Sequence, residues 1–150
     1  MNQPEILIVG AGGMGALFGS ILHENGLKVV LYDTNTEHIR AIQQAGLKIE
    51  GYGGDRTIPI AAISNLSELE SAEIIIFQCK SHGTRQASKA VKPLITQESV
   101  CISFQNGLGN EEVMAEELGE DSVMGGLTAM AGVLLEPGKI RDFSRVPSHI

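Results

Sequence analysis

The stretch "EILIVGAGGMGALFGSILHENG", residues 5–26, constrains the fold of this chain more than any other. Ile6 to Val9 are all apolar and mostly β-branched, which favours a short buried strand. That run passes directly into Gly10, Gly12 and Gly15, which make the pattern G-x-G-x-x-G. From Met14 to Asn25, Leu17, Ile21 and Leu22 recur at helical spacing, and Gly26 supplies a stop. A strand that runs through glycines straight into a helix opens a βαβ unit. Gly10 permits the tight turn, Gly12 lets backbone approach a pyrophosphate, and Gly15 lets the helix pack close to the strand. The helix start adds unbonded N–H groups and a partial positive charge. A glycine-rich turn with no ligand is the plain alternative.

The next predicted strand, 27–33, ends on Asp33. A strand, the glycine turn, a helix and a second strand closing on an acid make up the context that a dinucleotide fingerprint requires. The Asp33 carboxylate can accept both hydroxyl protons of an adenosine ribose. A 2′-phosphate there meets a like charge, at about 4 kcal/mol per charge pair for ~4 Å and an effective dielectric near 20, before solvent screening. NAD is therefore favoured over NADP. Arg40, on the following helix, is the residue that could reach a phosphate and offset this. Asp33 as a turn or cap residue is the alternative reading.

Farther along, apolar runs and helical patterns alternate. Thr34 or Thr36 is the expected N-cap of a helix carrying Ile39 and Ile42 and ending at Gly46. Residues 47–60 read as two short strands around a glycine-rich turn. "EIIIFQCK" (73–80) is the strongest strand, and 82–92 is a helix ending before Pro93. "SVCISFQ" (99–105) is a strand with Val100, Cys101, Ile102 and Phe104 in the core. "NEEVMAEELG" (110–119) is a helix whose Glu111 and Glu112 suit its dipole. Residues 121–135 are strand-like, and "EPGK" (136–139) turns into "IRDF". Short, continuously apolar strands between helices predict an α/β fold of Rossmann type, a doubly wound, mostly parallel sheet with helices on both faces. Such sheets bind ligands beyond the carboxyl ends of their strands, where strand order reverses.

Composition excludes several alternatives. A chain of 150 residues suits one domain, 1–150, with a real core. The net charge of −7 argues against a nucleic-acid or anionic-membrane surface. No apolar run approaches the roughly 20 residues that span a bilayer, and the N-terminus lacks the basic start of a secretory signal. Cys79 and Cys101 are expected as buried free thiols of a cytoplasmic protein. Their spacing matches no zinc motif, and the histidines add no ligand cluster, so no metal is expected.

Polar residues at strand ends are the remaining candidates. Lys80 ends the 73–80 strand, where a cation suits a phosphate or carboxylate; a solvated lysine is the alternative. Gln105 and Asn106 end the 99–105 strand. The Asn106 amide both donates and accepts, so it can orient a nicotinamide ribose or a substrate hydroxyl; an Asn-Gly turn is the alternative. His82 is expected in solvent, as are the helical His23 and His38.

Together these residues resemble the N-terminal domain of the ketopantoate reductase (2-dehydropantoate 2-reductase) family. The similar pieces are "ILIVGAGGMGALFG", "IIIFQCKS", "SFQNGLGNEE" and "MGGLTAMAGVLLEPGKIRDF", across nearly the whole chain. The resemblance implies NAD(P)H-dependent reduction of a small 2-keto acid to a 2-hydroxy acid. It assigns Gly10, Ala11, Gly12, Gly13, Met14 and Gly15 to the pyrophosphate. It also places Lys80 on the cofactor, Asn106 between cofactor and substrate, and a backbone contact to the cofactor at Ala131. The family's basic residue after the second strand is replaced here by Asp33, which points to NADH. The family also has a helical second domain that supplies a general-acid lysine; the chain stops at "SRVPSHI", before such a domain. Binding with slow or no turnover is the expectation, with self-association through apolar surface. A dinucleotide-sensing module without chemistry is the alternative, as is the cofactor domain of another two-domain dehydrogenase.

Overall fold

The computed structural model describes residues 3–144. The closing stretch 145–150, where the sequence reading ends the domain, lies outside the described residues. In order, the chain forms β1 (Ile6–Val9), α1 (Gly13–Glu24), β2 (Val29–Tyr32), α2 (Thr36–Ala45), β3 (Leu47–Gly51), β4 (Arg56–Ile58), β5 (Ala61–Ile63), β6 (Ile74–Phe77), α3 (Thr84–Val91), β7 (Val100–Ser103), α4 (Asn110–Leu118), β8 (Val123–Gly125), β9 (Gly132–Glu136) and β10 (Lys139–Asp142).

Six strands make one sheet, ordered β5-β2-β1-β6-β7-β8, with every pairing parallel. The chain builds one half outward from β1 through β2 and β5, then crosses back to lay β6 on the other side of β1. Strand order therefore reverses between β1 and β6. β1 is buried along its whole length, as a central strand covered on both faces must be. Its alternate residues serve separate cores. Ile6 and Ile8 join Leu17, Phe18, Ile39, Ile42, Ile49 and Ile140. Leu7 and Val9 join Ile75, Phe77, Val91, Cys101 and Met114. Helices α1 and α2 cover the first face and α3 and α4 the second, as the doubly wound reading expects.

A second sheet, ordered β4-β3-β10-β9, packs against α1. The break in alternation at 47–60 is its seed: β3 and β4 pair antiparallel, and β10 adds alongside β3 in parallel. Residues 121–135, read as one strand-like run, are two strands in different sheets. β8 is an edge strand of the large sheet and β9 an edge strand of the small one, with no regular structure between them. Gly125, Gly126 and Gly132 lie in that region, and their lack of side chains leaves the strand pattern without a visible break.

Element ends also shift from the sequence reading. The N-cap of α2 is Asn35, not Thr34 or Thr36: its side-chain oxygen accepts the His38 N–H at 3.1 Å. β6 stops at Phe77, so Lys80 lies beyond the strand at the start of a 3-10 turn, Ser81–Gly83, that precedes α3. A second 3-10 turn, Lys92–Leu94, carries the chain through Pro93. β7 lies toward the edge, so Cys101 is fully buried while Val100, Ile102 and Phe104 are only partly so. Phe104 packs on Phe18 of α1, ring centroids 4.8 Å apart. Both cysteines are free. Among the described residues no helix is long and apolar enough to cross a membrane, and no group of His, Cys, Asp and Glu could hold a metal ion.

Candidate functional site

The turn after β1 meets the turn after β6 at the reversal point. Gly10 has φ +98°, and a Cβ built on it would stand 2.5 Å from the Cys79 backbone nitrogen. Only glycine satisfies both conditions. Gly15 lies on the Gly10 carbonyl, where a side chain would overlap it. Gly13 presses against β9, with a Cβ falling 2.5 Å from the Val133 Cα. Gly12 differs: nothing lies within 4 Å of a Cβ placed there. It caps α1 without any side-chain bond, and the first turn of that helix holds no acid. Its carbonyl accepts the Ala16 N–H at 2.9 Å. The opening N–H groups of α1 thus meet neither a capping side chain nor a competing carboxylate. Met14 turns the other way, its sulfur accepting the Gly132 N–H.

Asp33 follows β2 and holds the loops on either side. One carboxylate oxygen accepts the Ala11 N–H and the other the Asn35 N–H, both at 2.8 Å. Arg40 is exposed on α2. His38, expected in solvent, is instead 1% exposed. Its Nε2 lies 2.7 Å from the Ala11 carbonyl, and its Nδ1 accepts the Gly138 N–H at 2.9 Å. Helical spacing placed it on the solvent side of α2, but that side is covered by the β9–β10 turn. His23 is also partly buried, and its Nδ1 has no partner.

The tips after β6 and β7 are tied together. The Ser81 hydroxyl donates to the Asn106 carbonyl at 2.9 Å, and the Asn110 amide donates to the same carbonyl at 3.0 Å. Gln105 turns inward. Its amide donates to the Cys79 carbonyl at 2.8 Å and the Thr84 hydroxyl at 2.9 Å, and the Ser103 hydroxyl donates back to its carbonyl oxygen at 3.2 Å. Thr84 in turn donates to Asn110 at 3.1 Å. Lys80, His82 and Asn106 remain exposed. Burial pushes the Cys79 thiol up to about 11, with the Asp33 charge adding to the effect; this sulfur is no nucleophile near neutral pH. The Gln78 amide nitrogen beside the glycine turn is buried without a partner.

Ala131 lies one residue before Gly132, whose backbone meets Gly13. Its carbonyl accepts the Phe143 N–H at 2.7 Å, and its own N–H donates to the Ser144 hydroxyl at 3.3 Å. The sequence reading missed Ser81, Thr84, Asn110 and His38. Only Ser81 carried a signal, its place next to Lys80.

A cavity of about 490 Å³, lined by Pro4, His23, Leu27, Val29, Pro59 and Ala61, lies at the opposite, amino end of the strands. Its walls are mostly apolar and bring together no set of polar groups. The chemistry-bearing residues converge at the carboxyl ends instead, where parallel sheets place their ligands.

Residues 6–147 match the model of the ketopantoate reductase PanE/ApbA family. The chain is 31% identical over 141 residues to the 2-dehydropantoate 2-reductase of Lactococcus lactis, covering 93% of this chain and 45% of that protein. It is 34% identical over 137 residues to the enzyme of that name from Pyrococcus abyssi, covering 91% and 44%. A D-mandelate dehydrogenase solved with NADH and anilino(oxo)acetate superposes with a TM-score of 0.87 at 26% identity, covering 92% of this chain and 45% of that one. The chain thus spans under half the length of these relatives. A match over nearly every described residue, on a sheet of the same architecture, places the chain in the ketopantoate reductase family.

Proposed function

We propose that residues 1–150 are the dinucleotide-binding half of a reductase converting a 2-keto acid, 2-dehydropantoate or a relative of it, to a 2-hydroxy acid, with NADH preferred over NADPH. The observation that carries this reading is the start of α1. It lies at the reversal point with no side-chain cap, no acid in its first turn, and open space at Gly12. These are the properties a pyrophosphate requires of a backbone cradle. The D-mandelate dehydrogenase with NADH and the curated 2-dehydropantoate 2-reductases support the choice of coenzyme and substrate class.

Gly10, Ala11, Gly12, Gly13, Met14 and Gly15 form the cradle in this reading. The Asp33 oxygens each carry one backbone N–H and retain acceptor capacity for a ribose hydroxyl. Their charge disfavours a 2′-phosphate. The coenzyme supplies the hydride. Lys80 sets a cation at the neighbouring tip, and Asn106, its backbone held by Ser81 and Asn110, offers an amide that donates and accepts. Ala131 lies across the cradle at the start of β9. No proton donor is assigned among the described residues in this reading, so residues 1–150 alone are expected to turn over slowly or not at all. Leu108 and Leu127 are fully exposed near the tips, and Val133, Leu134 and Leu135 are exposed on β9; self-association through that surface is part of the same proposal.

Calorimetric titration with NADH and NADPH tests the reading. NADH is expected to bind, and more tightly than NADPH. Binding of neither sinks the proposal; equal binding removes the NADH preference. Rapid reduction of 2-keto acids by this chain overturns the claim that it is inactive alone.

A further inference from the structure

We infer that His38 is a positioning residue that aims the Gly12 N–H at the coenzyme's pyrophosphate. The inference rests on the dinucleotide reading above and adds to it a residue that touches neither coenzyme nor substrate.

The tautomer of His38 follows from its partners. The Gly138 N–H can only donate, so the Nδ1 that receives it at 2.9 Å bears no proton. The proton is therefore on Nε2, which donates to the Ala11 carbonyl at 2.7 Å. Ala11 is wholly buried, and its peptide groups have no water to turn toward.

That bond decides where the next N–H points. In a planar trans peptide the C=O and the following N–H point in opposite directions. With the Ala11 carbonyl fixed toward His38 on α2, the Gly12 N–H faces away from α2, out of the turn. A Cβ at Gly12 would meet nothing within 4 Å, so the loop is open beside the Gly12 Cα. The same reasoning holds one peptide earlier. Asp33 fixes the Ala11 N–H at 2.8 Å, and the Gly10 carbonyl points the opposite way, onto Gly15 of α1. Asp33 and His38 thus orient two consecutive peptides of the turn. His38 is itself held by Gly138 in the turn between β9 and β10. The aim of the loop therefore depends on a residue far away in sequence.

Two amide replacements separate aiming from simple stability. In His38→Gln the side-chain nitrogen reaches the Nε2 position and can donate to Ala11. In His38→Asn the shorter amide reaches the Nδ1 position and can accept from Gly138 but leaves Ala11 unbonded. Each is measured for NADH affinity by calorimetry and for its thermal midpoint. His38→Gln is expected within about threefold of the parent in affinity, and His38→Asn about tenfold weaker, the effect of one lost hydrogen bond. Equal affinities for the two variants overturn the aiming role while leaving the dinucleotide reading intact. Failure of the unaltered chain to bind NADH overturns that reading, and the inference with it. If both variants fail to fold, the amide proton resonances of the unaltered chain decide. NADH must shift the Gly12 amide strongly and leave the Ala11 amide, bonded to Asp33, nearly in place. A Gly12 amide that does not respond to bound NADH overturns the inference.

Discussion

The Ser81 hydroxyl donates to the Asn106 carbonyl at 2.9 Å, so the segment leaving β6 and the segment leaving β7 are joined where Lys80 and Asn106 emerge. Asn110 donates to the same carbonyl, and two donors on one oxygen fix the plane of that peptide. Ser81→Ala removes one of them. A neutral hydrogen bond contributes about 0.5–1.5 kcal/mol, which is a loss of roughly two- to tenfold if it is felt in binding. The expected outcome is a thermal midpoint lowered by a few degrees and NADH affinity reduced within that range. A lowered midpoint with unchanged affinity shows that the tie serves stability alone.

The two adjacent glycines Gly12 and Gly13 behave as opposites. Gly12 has φ −65° and open space around a built Cβ, so Gly12→Ala folds with stability close to the parent. Its methyl group occupies the cradle, and NADH binding weakens by tenfold or more. At Gly13 a methyl meets the Gly132 carbonyl and the Val133 backbone, which cannot move aside as a flexible side chain would. Gly13→Ala therefore destabilises, by about 1–3 kcal/mol on the scale of overpacked sites. Urea midpoints and calorimetry on both variants check the pair. Equal losses of stability at the two positions contradict the prediction.

Asp33 holds the loops on either side through two backbone N–H groups, and the coenzyme selectivity proposed for it is separable from that structural role. Asp33→Asn keeps one oxygen for a backbone N–H but removes the charge and places an NH2 group against a backbone donor. Stability is expected to fall by about 0.5–1.5 kcal/mol, the scale of one hydrogen bond lost at a part-buried or exposed site. The ratio of NADPH to NADH dissociation constants is expected to shrink several-fold, because the 2′-phosphate no longer meets a carboxylate. The sign to watch is in the ratio, since a general loss of fold weakens both coenzymes alike. An unchanged ratio shows that Asp33 does not choose between them.

The parts of this fold that were legible in the sequence are those written in local pattern. β1, the glycine turn, α1 and the apolar cores of β6 and β7 follow from runs of Ile and Val and from helical spacing. So do the 47–60 hairpin and the turn before β10. The position of Asp33 at the tip of the second strand was legible; its bond to the Ala11 N–H across the glycine turn was not. His38 was not, because the β9–β10 turn that buries it arrives a hundred residues later, and nothing in "TEHIRAIQQAG" records that arrival. Gln105 shares a strand end with Asn106, and the sequence alone does not separate the two. In the fold Gln105 turns inward to satisfy the Cys79 carbonyl and Thr84. The small sheet was hidden for a related reason: β3 finds its parallel partner β10 only after the whole large sheet has been built.

Two free thiols, Cys101 buried and Cys79 only partly so rather than buried as the sequence suggests, make the fold sensitive to alkali, and the direction follows from where their protons sit. Burial pushes Cys101 up to about 11, and burial with the Asp33 charge does the same to Cys79, from an ordinary value of 9.0. Between those values the unfolded chain has released protons that the folded chain still holds. Stability must then fall as pH rises, because it declines wherever the native state binds more protons. The thiol contribution is complete below about pH 9 and is lost as pH approaches 11. Tyr32, raised by burial and by Asp33, acts in the same direction at the upper end of that range. The urea midpoint is therefore expected to be flat from neutral pH to about 9 and to drop beyond it. Cys79→Ala and Cys101→Ala should each shallow the drop while lowering the plateau, since each removes one retained proton and some packing. If the slope above pH 9 is the same in both variants as in the parent, the thiols are not its source.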